Sequence, residues 1–166
     1  MTRNIDFKSG RNVYVTAVAI ALLIASVLLV YYYVALQPAP VPYFTINYLD
    51  SQKGTNYPEF VVAGVNSTFS LYVNVENHSG KTVTNAQVQV KVTPDSNPSF
   101  PVNANATQTF TGTVKNGATW QNIATVSLNQ PGDWLVVFEL WTPNSNGNGL
   151  QFSGDYVTLN VEVAAA

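Results

Sequence analysis

The stretch Val13–Leu36, VYVTAVAIALLIASVLLVYYYVAL, constrains this chain most, because it holds no charged residue, proline or glycine. At ~1.5 Å per helical residue it covers the ~30 Å hydrocarbon core of a bilayer. In lipid every backbone amide must find its partner within the segment, so a helix is expected. Tyr14 at one end and Tyr31, Tyr32 and Tyr33 at the other suit the two interfaces, where amphipathic rings settle. A helix buried in a globular core is seldom so long and so apolar. The expectation is one transmembrane helix over residues 13–36, with the lipid bilayer as its partner.

The flanks give an orientation. Residues 1–12, MTRNIDFKSGRN, carry Arg3, Lys8 and Arg11 against Asp6, and no base follows the helix until Lys53. Positive residues stay inside, so a cytoplasmic tail over 1–12 and an extracellular remainder are expected. A cleaved signal would have an apolar run of ~7–15 residues closing on small side chains. This run closes on tyrosines, which favours an uncleaved anchor. Residues 37–42, QPAPVP, form the linker, with Pro38, Pro40 and Pro42 favouring an extended spacer.

From Tyr43 onward the pattern alternates with period two. Tyr43–Leu49 places Phe44, Ile46 and Tyr48 on one face, and Thr68–Glu76 places Phe69, Leu71, Val73 and Val75 inward. Glu59–Ala63, Val83–Val92, Gln108–Val114, Thr119–Leu128, Asp133–Thr142 and Tyr156–Val163 complete about eight strands. HSGK, PDSNP, KNG, NQPGD and NSNGNG supply the turns. Such a series with no helical period between its members predicts an antiparallel two-sheet β-sandwich over residues 43–166, the size of one immunoglobulin-like domain. Pro58 should precede an edge strand. Gly80 should take positive φ in the turn Asn77–Gly80. Trp134 and Trp141 should lie on opposite faces of one strand, one in the core. With no cysteine in the chain, the core alone must hold this domain.

Two passages carry a resemblance. Asn56-Tyr57-Pro58 leads through Gly64 to VNVENHSGKTV at Val73–Val83, and WQNIATVSLNQPGDWLVVFELW runs from Trp120 to Trp141. Together they resemble an uncharacterised family of archaeal membrane proteins with NYP…G…N-H-x-G and W…L…PG motifs. Ser79 departs from it where an acid would be expected. More distantly the chain is similar to adhesion-type immunoglobulin-like modules. The resemblance implies a fold and a place in the membrane, and no activity.

Chemistry is sparse. Charged residues make up 10% of the chain against ~25% in soluble domains. The outer part has Lys53, Lys81, Lys91 and Lys115 against a larger number of acids, which argues against nucleic acid as a partner. His78 is the lone histidine, so no metal site is expected. No phosphate loop or nucleophile elbow is present, the carboxylates are scattered, and neither catalytic nor cofactor-binding residues are expected. Asn144–Asp155 partly matches a calcium loop through Asn144, Asn146, Asn148, Gly149 and Asp155. With one carboxylate it reads better as a long hairpin loop. Asn66-Ser67-Thr68, Asn77-His78-Ser79 and Asn105-Ala106-Thr107 are N-glycosylation sequons. Asn77 has a competing role in capping its turn.

The function expected is a single-pass, cell-surface module that binds another envelope or membrane protein without catalysis. An archaeal pilin-like filament subunit is one alternative. Arg11 argues against it, being unsuited to a buried filament core. An enzyme acting on envelope glycans is the other, and needs a carboxylate cluster.

Overall fold

The computed structural model describes residues 7–37, 41–94 and 96–166, with residues 7–12 described by backbone alone. The start of the expected tail, the middle of the linker (38–40) and Asp95 lie outside the described residues. The chain forms two compact units, Met1–Pro40 and Val41–Ala166.

The first unit is helix α1, Phe7–Ala35. It starts six residues before the apolar run, since Lys8 and Arg11 are good helix formers and tolerate the extra turns. The span Val13–Ala35 has a hydropathy of 2.8, and none of it is buried. Its one serine is satisfied locally, Ser26 Oγ donating to the Leu22 carbonyl at 2.8 Å.

The second unit is a β-sandwich. Its strands are β1 (Tyr43–Leu49), β2 (Phe60–Val62), β3 (Thr68–His78), β4 (Val83–Thr93), β5 (Ala106–Val114), β6 (Thr119–Ser127), β7 (Gly132–Pro143) and β8 (Leu150–Ala164). A three-stranded sheet runs β1-β3-β6 and a five-stranded one β2-β8-β7-β4-β5. Every pairing is antiparallel except β2 with β8, which is parallel, a departure from the antiparallel expectation. The parallel piece is short, following Pro58 closely and ending before Gly64 (φ +71°). β2 is the edge strand that Pro58 foretells.

The alternating residues meet between the sheets. Leu71, Val73 and Val75 of β3 and Ala124 and Val126 of β6 pack on Val88, Val90, Val136, Phe138, Leu140, Leu159 and Val161. Each fully buried aliphatic or Phe side chain is worth roughly 1.5–3 kcal/mol relative to exposure. Trp120 packs on Gly112, where a Cβ would come within 2.6 Å of the indole. That approach is why the middle of β5 carries a glycine.

β8 is longer than the alternation suggests, beginning at Leu150 rather than Tyr156. A bulge masks the first part. The β7–β8 register jumps from Glu139↔Tyr156 to Trp141↔Phe152, so Ser153, Gly154 (φ +93°) and Asp155 face Leu140 alone. Ser153 Oγ donates to the Leu140 carbonyl (2.9 Å) and accepts from the Asp155 amide (3.1 Å), holding the bulge closed. The hairpin loop is therefore only Asn144–Gly149. Asn144 Oδ1 accepts from Asn148 N (3.1 Å), and Asp155 sits on a strand. That divides the calcium-loop match between a turn and a strand.

Both sides of the sandwich are clipped by a side chain that crosses from one sheet to the backbone of the other. On one side Tyr48 of β1 donates its hydroxyl to the Thr158 carbonyl of β8 at 3.0 Å. Tyr57 in turn donates to the Tyr48 carbonyl at 3.0 Å. On the other side the Gln108 amide of β5 pairs with edge strand β6, donating to the Thr125 carbonyl (2.7 Å) and accepting from Thr125 N (3.1 Å). Both contacts occupy backbone that a second chain could otherwise pair with.

Candidate binding surfaces

The three sequons occupy different environments. Asn66 is exposed in the β2–β3 turn with φ +57°, and Asn105 is exposed just before β5. Asn77 is fully buried near the end of β3. Its Nδ2 donates to the carbonyls of Lys81 and Val114, each at 2.8 Å, and its Oδ1 accepts from Ser79 N at 2.9 Å. The amide thus ties the β3–β4 turn to β5. A glycan on Nδ2 would displace one of those bonds, so this geometry favours turn capping over the acceptor role at Asn77. Gly80 closes the turn with φ +81°, and its amide donates to Asn116 Oδ1 at 2.8 Å.

His78 ends β3 instead of lying in the turn. Its ring stacks on Tyr43 at 4.6 Å and approaches Glu76 Oε2 at 3.4 Å. No second histidine or cysteine joins it, and among the described residues no group of three His, Cys, Asp or Glu could hold a metal ion.

Trp134 and Trp141 do lie on opposite faces of β7. Trp134 packs at the margin of the central core and donates its indole N–H to the Gln130 carbonyl at 2.9 Å. Trp141 covers a buried ion pair that the sequence did not announce. On the outer face of the five-stranded sheet, Lys91 Nζ meets Glu139 Oε2 at 2.8 Å, with side chains 6% and 0% exposed. Lys91 also donates to the Val102 carbonyl at 2.8 Å, and Val102 N donates to Glu139 Oε1. Trp141 Nε1 donates to Glu139 Oε2 at 3.1 Å, and the Lys91 ammonium lies 5.5 Å from the Trp141 ring. The charges are buried because the β4–β5 connection folds back over the sheet. Val102, Phe100 and Ala104 pack there on Leu135 and Val137, a second small core outside the sandwich. A lysine in VQVKV and a glutamate in VVFELW, each inside an apolar run, were the available signal.

A groove of about 600 Å³ opens at the end of the sandwich remote from Tyr43. Tyr48, Tyr57 and Trp134 provide its aromatic surface, and Glu59, Asp133 and Glu162 its charges. Asp133 and Glu162 are directly opposite each other on β7 and β8, and the Glu162 amide donates to the Glu59 carbonyl at 2.9 Å. Among the described lining residues there is no lysine, arginine or histidine. Burial raises the Tyr48 phenol above its ordinary value, with smaller contributions from Tyr57 and Glu59, which keeps it a hydrogen-bond donor.

Two further carboxylates are shifted in opposite directions. The Gly54 amide, with help from Gln52 and Asn56, holds Asp50 below the usual carboxylate range at bond lengths of 2.7, 2.8 and 3.2 Å. Burial pushes Asp155 upward, opposed by its hydrogen bond with Ser153.

No protein-family model matches the chain, and no curated sequence is similar to it, so the archaeal-family resemblance gains no support from sequence. Solved structures are similar in fold. The crystal structure of the CARDB domain of the PF1109 protein from Pyrococcus furiosus, in complex with di-metal ions, superposes with a TM-score of 0.53 at 15% identity. The match covers 78% of this chain and 100% of that one. The solution structure of the same domain gives 0.52 at 16% identity, over 76% and 98%. These likenesses identify the second unit as an immunoglobulin-like β-sandwich.

Proposed function

We propose that the chain is a single-pass membrane protein whose residues 13–36 span the bilayer, with the amino terminus cytoplasmic and residues 43–166 outside. The sandwich is a non-catalytic module that binds another protein of the envelope or membrane. The observation that carries this reading is the pairing of one unburied apolar span, Val13–Ala35, with one separate immunoglobulin-like unit. Arg3, Lys8 and Arg11 before the span support the orientation. Fold relatives of the CARDB type favour a binding module over an enzyme in this reading. Asn66 and Asn105 are the glycan acceptors in this reading, and Asn77 stays unmodified as the amide that caps its turn.

Because the chain has no cysteine, single cysteines report topology directly. With a membrane-impermeant maleimide on intact cells, Ser145→Cys should label and Thr2→Cys should not; labelling at Thr2 overturns the orientation. The intact mass of protein purified from its native membrane should show an uncleaved chain with two glycans. A mature chain starting at or beyond Arg11 overturns the anchor. Cross-linking in the same membranes, followed by mass spectrometry, should recover a protein partner attached to the sandwich.

A further inference from the structure

The acidic groove at the end of the sandwich remote from Tyr43 suits one kind of occupant, and we infer that it docks a lysine- or arginine-bearing peptide segment of the partner protein. This deepens the binding-module reading and rests on it. Charge complementarity is the first argument: Glu59, Asp133 and Glu162 surround the groove and none of its described lining residues carries a positive charge. Asp133 and Glu162 are register partners on adjacent strands, so two like charges stand side by side where a sheet ordinarily avoids them. An incoming cation removes that repulsion. Metal ions do not meet the need, because no three of these carboxylates converge on a common point among the described residues.

The groove's surface supplies the rest. Half-buried Trp134 and Tyr57 line the same groove, which suits the apolar stem of a lysine or arginine whose charged end pairs with a carboxylate. Trp134 is held in place by its bond to the Gln130 carbonyl, and Tyr57 by its bond to the Tyr48 carbonyl, so the rings are set before a ligand arrives. The groove also lies at the opposite end of the sandwich from Tyr43, where β1 begins.

The test uses the full chain in zwitterionic lipid nanodiscs and a fluorescein-labelled hexa-arginine peptide, read by polarisation at low ionic strength. The peptide should bind, release with added salt, and outcompete hexa-glutamate. Asp133→Asn with Glu162→Gln should weaken binding by about tenfold, the effect of two rim charges together. The same double variant should unfold at higher urea than the parent, which excludes misfolding as the cause. Glu76→Gln, at the other end of the sandwich, should leave affinity unchanged. The inference fails if hexa-arginine does not bind, if Glu76→Gln weakens it as much as the groove variant, or if a neutral glycan competes for the groove. A partner recovered by cross-linking that binds the groove variant as tightly as the parent also overturns it, and leaves the binding module standing.

Discussion

Replacing Lys91 by methionine tests the buried network on the outer face of β4 and β7. Methionine fills a similar volume, so the main loss is electrostatic. Glu139, fully buried, is left without its counter-ion, and the Val102 carbonyl loses one of its two donors, keeping the Ala104 amide. Removing one partner of a buried pair ordinarily costs about 3–5 kcal/mol, a large part of a domain's ~5–15 kcal/mol total stability. A second variant separates charge from anchoring. Lys91→Met with Glu139→Leu removes the orphaned charge, and such apolar replacements are often neutral or stabilising. Here the backbone N–H of Val102 would lose its partner inside a buried segment, at about 1–3 kcal/mol, while its C=O keeps the Ala104 amide at 2.9 Å. The double variant should therefore remain about 1–3 kcal/mol below the parent. Urea unfolding of the full chain in micelles reads this out, because Trp120, Trp134 and Trp141 all lie in the sandwich. Proteolysis should cut the β4–β5 connection in both variants before the strands open. A double variant as stable as the parent, with that connection still protected, would refute the assignment of the pair to anchoring Val102.

Asn77→Ala should destabilise by several kcal/mol, having lost three hydrogen bonds in a buried site, while Asn105→Gln stays within about 0.5 kcal/mol in the same urea assay. Asn66→Gly, which keeps the positive φ, should also be close to neutral. Gln108→Leu should lower stability by about 1 kcal/mol and favour association through the uncovered β6 edge, seen by light scattering. Asp50 and Asp155 should impose opposite pH dependences. The lowered pKa of Asp50 contributes stability above its unfolded value that is lost as pH falls through the folded one, so Asp50→Ala should be less acid-sensitive than the parent. The raised pKa of Asp155 makes its contribution present below the unfolded value and lost as pH rises through the folded one. Asp155→Asn should abolish that loss in urea midpoints measured from acid to neutral pH.

Most of this protein was legible from local pattern. An apolar run free of charge, proline and glycine can satisfy its backbone in lipid only as a helix. Period-two alternation then assigns Leu71, Val73, Val75, Val88 and Val90 to one buried face whatever their partners are. The early start of β8 stayed hidden, because a bulge at Ser153–Asp155 interrupts the alternation soon after the strand begins. The fate of the polar residues was legible only in part. Lys91 and Glu139 lie 48 positions apart, and the apolar run around each does not announce the other as its partner. They are buried only because the β4–β5 connection folds over them. Asn77 reads both as an acceptor by its motif and as a cap for its turn; the bond to the Val114 carbonyl at 2.8 Å comes from β5, which the local sequence does not indicate. Asp133 and Glu162 meet only through the β7–β8 register. Alternation decides which side of a strand a residue takes. What covers that side depends on contacts between segments distant in the chain, and those exist only after the sheets have packed.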